Sequence, residues 1–272
     1  MGENRSWKQR WCSIDAASDP SQYVRLMDIT RSGRDDDPSS YRFFGLLDAR
    51  AGDRVLDVGC GLGGAVRAVA PRVGATGQVV GVDKSATMIA EARRRAEGLA
   101  LPVKYRQGDA HHLPFDDDTF DACFSAATFT LIDRPEQALA DMIRVSRPGG
   151  QILISATDFG SWIFDATDQE LTRKIMRFVC DHETNGSIAR RLRRLFVDSG
   201  LDDVHMILRG SGYTDYTYIH EVWLRPWLED AQTAGVVTAA EAMAWLRDLE
   251  ERDRAGVFLL AGLDFTVVGR KP

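Results

Sequence analysis

Val55-Leu56-Asp57-Val58-Gly59-Cys60-Gly61-Leu62-Gly63-Gly64 decides the fold. Val55, Leu56 and Val58 suit a parallel strand covered on both faces. Glycines at 59, 61 and 63 let the backbone turn sharply and lie against a ligand where a Cβ would intrude. A helix follows the turn. Asp57 stands two residues before the first glycine, and a second apolar run, Val79-Val80-Gly81-Val82, ends in Asp83. Ligands of open parallel sheets bind beyond the carboxyl ends of the strands. Two acids and a glycine turn at such ends make a nucleoside site.

The turn by itself leaves the nucleotide open. Gly59-x-Gly61-x-x-Gly64 satisfies the dinucleotide fingerprint, and Asp83 lies where a ribose-binding acid belongs. A pyrophosphate, however, wants bare backbone N–H groups at a helix N-terminus, and the Asp57 carboxylate would repel it. A ligand carrying an ammonium group and a sulfonium would welcome that carboxylate. The run Gly108-Asp109-Ala110-His111-His112-Leu113-Pro114-Phe115 adds a third acidic loop, placed to accept from an adenine amino group.

Asp57-x-Gly59-x-Gly61-x-Gly63, Asp83, Gly108-Asp109-Ala110 with Leu113-Pro114-Phe115, Phe120-Asp121 and Arg147-Pro148-Gly149-Gly150 together resemble class I S-adenosylmethionine (SAM) methyltransferases. The quinone- and small-molecule-modifying branch is the most similar, and the resemblance covers residues 50–157 most strongly. It implies an α/β fold, a doubly wound seven-stranded Rossmann-like sheet whose last strand is antiparallel, with SAM as cofactor. Asp57 and the backbone of Gly59, Cys60 and Gly61 would hold the amino-acid end of the cofactor. Asp83 would bind both ribose hydroxyls, since one carboxylate accepts two hydrogen bonds. Lys84 and Met88 would border ribose and adenine. Gly108 would open the adenine loop, with Asp109 accepting from the adenine amine and the Ala110 N–H donating to the ring. Ser125 and Ala126 would line the methionine portion. Tyr23 and Arg31 would reach over the cofactor carboxylate from an N-terminal helix.

Composition narrows the partners. A formal charge of −6 and a pI near 5.4 give no footprint for a polyanion, which argues against nucleic acid. The arginines at 190, 191, 193 and 194 read as the solvated face of a helix. Cys12, Cys60, Cys123 and Cys180 lie far apart, so no metal ligation is expected. No apolar run approaches a membrane span and the first residues lack a signal-peptide core, so a cytoplasmic protein acting on a small-molecule acceptor is expected.

Four segments follow from the pattern: an N-terminal arm and helices (1–50), the SAM-binding core (51–210), a helical lid (211–256) and a final core strand (257–272). Residues 1–20 are expected to be a mobile arm, with helices at 21–31 and from Pro38. Strands are expected at 54–58, 79–82, 103–107, 120–124, 151–155, 203–209 and 264–269. Helices are expected at 62–73, 85–98, 135–146, 168–199, 217–233 and 238–254, with Ser85 as an N-cap and Pro135 opening a first turn.

The lid is rich in aromatics. Trp162 and Tyr216, with Phe164, Tyr213, Tyr218, Trp223 and Trp227, are candidates to wall an apolar acceptor pocket, against the ordinary alternative that they pack the lid onto the core. Aromatic faces also favour a sulfonium cation. His220, set among these rings, is the candidate base, because histidine titrates near neutral pH. Relatives often carry a histidine or polar aromatic after the fourth strand, where this chain has Ser125-Ala126-Ala127-Thr128-Phe129-Thr130. The Asn-Pro-Pro-Tyr-type motif of nucleic-acid amine methylases is absent too. Two other readings stand beside methyl transfer: a SAM-fold catalyst such as a cyclase, and an NAD-dependent oxidoreductase.

Overall fold

Seven strands form one sheet in the order β3-β2-β1-β4-β5-β7-β6. The computed structural model describes residues 7–31, 43–182 and 184–272. The strands are β1 (Arg54–Val58), β2 (Gln78–Asp83), β3 (Val103–Gln107), β4 (Phe120–Ala126), β5 (Ser146–Phe164), β6 (Asp202–Tyr213) and β7 (Leu260–Arg270). The first five run parallel, while β7 lies antiparallel between β5 and β6. The central strands are apolar on both faces because helices cover both. α3 (Gly64–Val73) and α4 (Ala86–Ala96) follow β1 and β2. α5 (Pro135–Val145) packs on the opposite face with α7 (Ile188–Asp198), as the core shared by Leu139, Met142, Leu192 and Phe196 shows.

Helix patterning explains the arginine cluster. In α7 the residues at helical spacing, Ile188, Ala189, Leu192, Leu195 and Phe196, are buried. Arg190, Arg191, Arg193 and Arg194 fall on the exposed side. Arg190 also pairs with the buried Asp158 at 2.7 Å.

The helical segments differ from expectation in several places. The N-terminal segment is built into the fold: α1 (Trp7–Cys12) and a short turn at Ile14–Ala16 precede α2 (Ser21–Arg31), and Ile14 is buried. The reason is specific: Asp15 accepts from the Ser85 hydroxyl at 2.7 Å and from the Ala86 and Thr87 N–H groups at 2.7 and 3.1 Å, capping α4. The helix expected from Pro38 begins on residues outside the described ones, and its described part, 43–50, is not an α-helix but holds only a 3-10 turn at Phe44–Leu46. The single helix at 168–199 is two, α6 (Gln169–His182) and α7, separated by a turn. A Cβ on Gly186 would stand 2.4 Å from the Cys180 carbonyl oxygen, so this turn closes tightly on the end of α6.

The strands beyond the core are longer than their apolar alternation suggests. β5 runs to Phe164, and β7 pairs with it from Leu260 and with β6 up to Tyr213. The three strands therefore continue past the level at which β4 ends, where Ala126 pairs Ser155. α6 packs on this extension with α9 (Arg225–Thr233) and α10 (Ala239–Arg254) around a second apolar core that includes Trp162, Phe164, Ile175, Trp227 and Trp245. α8 (Tyr216–Ile219) enters α9 through a π turn at His220–Leu224, where one uninterrupted helix was expected.

Candidate cofactor and acceptor site

The glycine turn is fixed from below and from the side. The Gly59 and Cys60 N–H groups both donate to the Val82 carbonyl, at 2.7 and 2.9 Å, tying the turn to β2. Gly59 has φ +81, and a Cβ there would lie 2.2 Å from Thr128 Oγ1. Gly63 has φ +73, and a Cβ there would lie 2.4 Å from the Tyr105 ring. Left-handed backbone and close neighbours both demand glycine. The buried Arg67 donates to the Leu62 carbonyl at 2.8 Å, bracing the turn from α3.

Asp57 is buried at the end of β1, in register with Gly81 of β2 and Phe124 of β4. Asp83 closes β2. Its Oδ2 accepts the Gly61 N–H and its Oδ1 the Ser85 N–H, each at 2.9 Å. Burial pushes the Asp83 carboxyl above the usual range, against those backbone donors and with the nearby Asp15 charge adding to the rise. Burial, with the charges of Asp57 and Asp83, also pushes the Cys60 thiol up, so it stays a thiol. Two acids and a Cβ-free turn at adjacent strand ends suit the ammonium and ribose of SAM.

The N-terminal segment covers this cradle. Ile14, Tyr23, Leu62 and Met88 form one buried cluster, with Met27 packed against it. A Cβ at Gly61 would meet Met27 Cε at 3.0 Å, which places α2 on the turn itself. Tyr23 stands edge-on to Trp11 at 5.1 Å. Arg31 closes α2, and its side chain lies outside the described residues. Met88 is only 1% exposed, packed with Ile14, Tyr23 and Leu62 in that cluster. Lys84 is exposed at the rim, and its carbonyl accepts from Gln107.

The adenine loop follows β3. Asp109 Oδ1 accepts the His111 N–H at 2.9 Å and meets His111 Nδ1 at 2.6 Å. Burial acts to raise the Asp109 carboxyl, yet the His111 hydrogen bonds and the Lys84 charge hold it below the usual range. It is therefore an ionised acceptor at neutral pH. Gly108 and Ala110 flank it and are partly buried. A Cβ on Gly108 would touch Pro114 at 3.0 Å, so the loop folds back on itself.

On the acceptor side one side chain turns away from the cleft. Ser125 is wholly buried and its hydroxyl donates to the Val58 carbonyl at 2.7 Å, so it ties β4 to β1 and does not line the cleft with its side chain. Ala126 is partly exposed at the strand end. Tyr216 sits within the insertion, with its ring against Phe258 and stacked on His220, and burial pushes its hydroxyl up to about 12. A proton-transfer role for that phenol near neutrality is thereby disfavoured. His220 Nδ1 lies 3.0 Å from Glu221 Oε1 in the π turn, which packs against α2.

Trp162 belongs to a cluster of interlocked rings, 5.3 Å from Phe159, 5.5 Å from Trp223 and 5.4 Å from Trp227. It also lines a cleft of about 380 Å³ between β5 and α6, with Phe164, Met176, Arg173 and Arg190. Sequence reasoning missed Asp15, Thr128 and Met27. Each acts across a large sequence separation, and none stands in a motif.

This geometry is matched by known proteins. Residues 56–154 match the methyltransferase-domain family. Over that segment the chain carries a methyltransferase domain. An uncharacterised 37.1 kDa protein in a transposon of Streptomyces fradiae is 35% identical over 82% of this chain and 64% of its own length. The ubiquinone/menaquinone biosynthesis C-methyltransferase of Stutzerimonas stutzeri is 39% identical over 40% of this chain and 43% of its own length. The chain thus spans less than two thirds of either relative. A solved SAM-dependent methyltransferase from Aquifex aeolicus shares the fold with a TM-score of 0.55 at 19% identity, over 94% of this chain and all of that one. Among the described residues no group of ligating side chains could hold a metal ion, and no helix is long and apolar enough to cross a membrane.

Proposed function

We propose that the protein transfers the methyl group of SAM to a small organic acceptor of apolar or aromatic character, received beyond the carboxyl ends of β4 and β5 and beneath the insertion 211–256 acting as a lid. The observation that carries the reading is the pairing of the buried Asp57 with the Asp83-braced glycine turn. That cradle favours a cationic, ribose-bearing ligand over a pyrophosphate. When bound, SAM supplies an electrophilic methyl on a sulfonium. The chain's own contribution is alignment and exclusion of water, which can supply a large share of the rate.

Similarity to a quinone C-methyltransferase and the aromatic surroundings of Trp162 support the acceptor class. His220, oriented by Glu221 in a turn that touches α2, is the insertion histidine assigned as base where the acceptor begins protonated. Cysteines without disulfides fit a cytoplasmic setting.

Calorimetric titration with SAM, S-adenosylhomocysteine and NAD tests the cofactor assignment. Binding of the first two and not the third is expected, and binding of NAD alone would overturn it. Incubation with isotopically labelled SAM and a panel of quinols, phenols and enols then reads the acceptor. Loss of turnover in His220→Gln with cofactor binding intact supports the base, and unchanged turnover refutes it.

A further inference from the structure

We propose that His111 is a positioning residue for recognition of the cofactor's base, holding the Asp109 carboxylate so that one oxygen stays available to the adenine amino group. The inference rests on the reading of Asp109 as the adenine acceptor. The imidazole is nine-tenths buried, with the side chain 10% exposed. Its Nδ1 and its own backbone N–H converge on the same oxygen, Asp109 Oδ1, at 2.6 and 2.9 Å. Two donors on one oxygen fix the plane of the carboxylate. They leave Oδ2 out of both contacts, on a side chain that is still 43% exposed. To donate to a carboxylate, Nδ1 must carry the proton. The far ring nitrogen, Nε2, has no hydrogen-bond partner and lies 3.1 Å from Asp133 Oδ1 in the loop after β4.

The ring is not what keeps the loop folded. α5 does that. The Leu113 N–H donates to the Asp141 carboxylate, Arg144 donates to the carbonyls of Leu113 and Phe115 at 2.9 and 2.8 Å, and the Gln137 amide reaches the His111 carbonyl at 3.3 Å. Removing the imidazole therefore takes away the shorter of the two contacts that orient the carboxylate and leaves the loop in place. A buried ring spent on orienting an exposed acid has its effect on ligand selection.

The test measures binding of S-adenosylhomocysteine and of its hypoxanthine counterpart, which carries a carbonyl in place of the amino group. Wild type is expected to prefer the adenine form. His111→Ala should bind that form about tenfold more weakly, the scale of one lost polar contact, while the hypoxanthine form changes little and the preference collapses. His111→Asn, whose side-chain N–H falls near the place of Nδ1–H, should restore most of the preference, and His111→Gln should not. Asp109→Ala should abolish the preference, and adding His111→Ala to it should cost nothing more. Equal weakening of both ligands in His111→Ala, or a preserved preference, would overturn the positioning role. A preference that survives Asp109→Ala would instead sink the adenine reading itself, and the present inference with it.

Discussion

Where β1, β2 and β4 end, the surface offered to a ligand is backbone, held in place by glycines and by the Asp83 carboxylate, which already accepts two backbone N–H groups. Where β5, β6 and β7 run on, the interior is side chain, a set of tryptophans and phenylalanines packed against one another beneath α6, α9 and α10. The first region tolerates few residue types at each position, because a Cβ or a missing carboxylate would destroy the geometry. The second tolerates any set of rings that fills the space, so it can change its ligand without changing its fold. One end is a backbone cradle braced by a carboxylate, the other a packed aromatic interior.

Substitutions can break this contrast. Trp245 is 2% exposed and its Nε1 donates to Thr172 at 2.8 Å. Trp245→Ala should cost about 3–5 kcal/mol of stability, the range for large core aromatics, while the affinity of the folded protein for S-adenosylhomocysteine stays within a factor of two or so. Denaturant melts and calorimetry on one preparation decide the matter. A parallel loss of affinity would mean that the two regions are one.

Asp83→Ala should do the opposite. Two backbone N–H groups lose their acceptor and the proposed ribose contact is removed, and binding should fall by about a hundredfold, roughly 2.7 kcal/mol. Because burial already raises the Asp83 carboxyl, the ligand-free fold gains little from its charge. Loss of the acceptor for two backbone N–H groups is offset in part by relief of the buried charge, so the melting temperature of the ligand-free variant should change less than the affinity does.

Gly63→Ala forces a left-handed residue against the Tyr105 ring. The strain should cost about 1–3 kcal/mol. Part should return in the double variant with Tyr105→Ala, read from paired melts, and no recovery would show that the clash is not the cause.

The smallest effect sharpens the comparison through pH. Hydrogen bonds from Ser85, Thr87 and Ala86 outweigh burial and hold the Asp15 carboxyl below its usual value. A depressed acid stabilises the fold above its unfolded value of 3.8, and that contribution disappears as pH falls through the lowered folded value. Asp15→Ala should thus cost about 1 kcal/mol at neutral pH, as for loss of a helix cap, and the difference from wild type should vanish in acid. A gap that persists in acid would assign the effect to packing.

Much of the nucleotide end was legible because its constraints are local. Val55–Gly64, Asp83 and the Gly108–Phe115 loop each read from neighbours in sequence, and the strands fell within a few residues of their places. Ser125 was misread because a hydroxyl at a strand end looks the same whether it faces the cleft or, as here, the Val58 carbonyl. The N-terminal segment was misread because its ordering depends on Asp15 meeting the start of α4, a contact across 70 residues that leaves no periodic trace. The far strands ran long because Asp158–Phe164 mixes polar, glycine and aromatic residues, and only pairing with β7 makes it a strand. Trp162 and Tyr216 were visible as aromatics, but nothing in their spacing distinguishes a pocket wall from a packed ring.

β5 is a single strand of 19 residues that belongs to both regions, and β7 accompanies it through most of that length. A pair of strands shared in this way denies the acceptor end the mechanics of a separate domain. Rigid-body closure about an interdomain hinge would have to tear the β5–β7 ladder, except at the register shift between Asp158 and Ile163, where the pairing is interrupted. Access must come from small shear displacements of the helices laid on that ladder. Under the proposed reading, motion of the acceptor cover falls to the helices laid on the ladder, while the shared strands serve as a fixed reference.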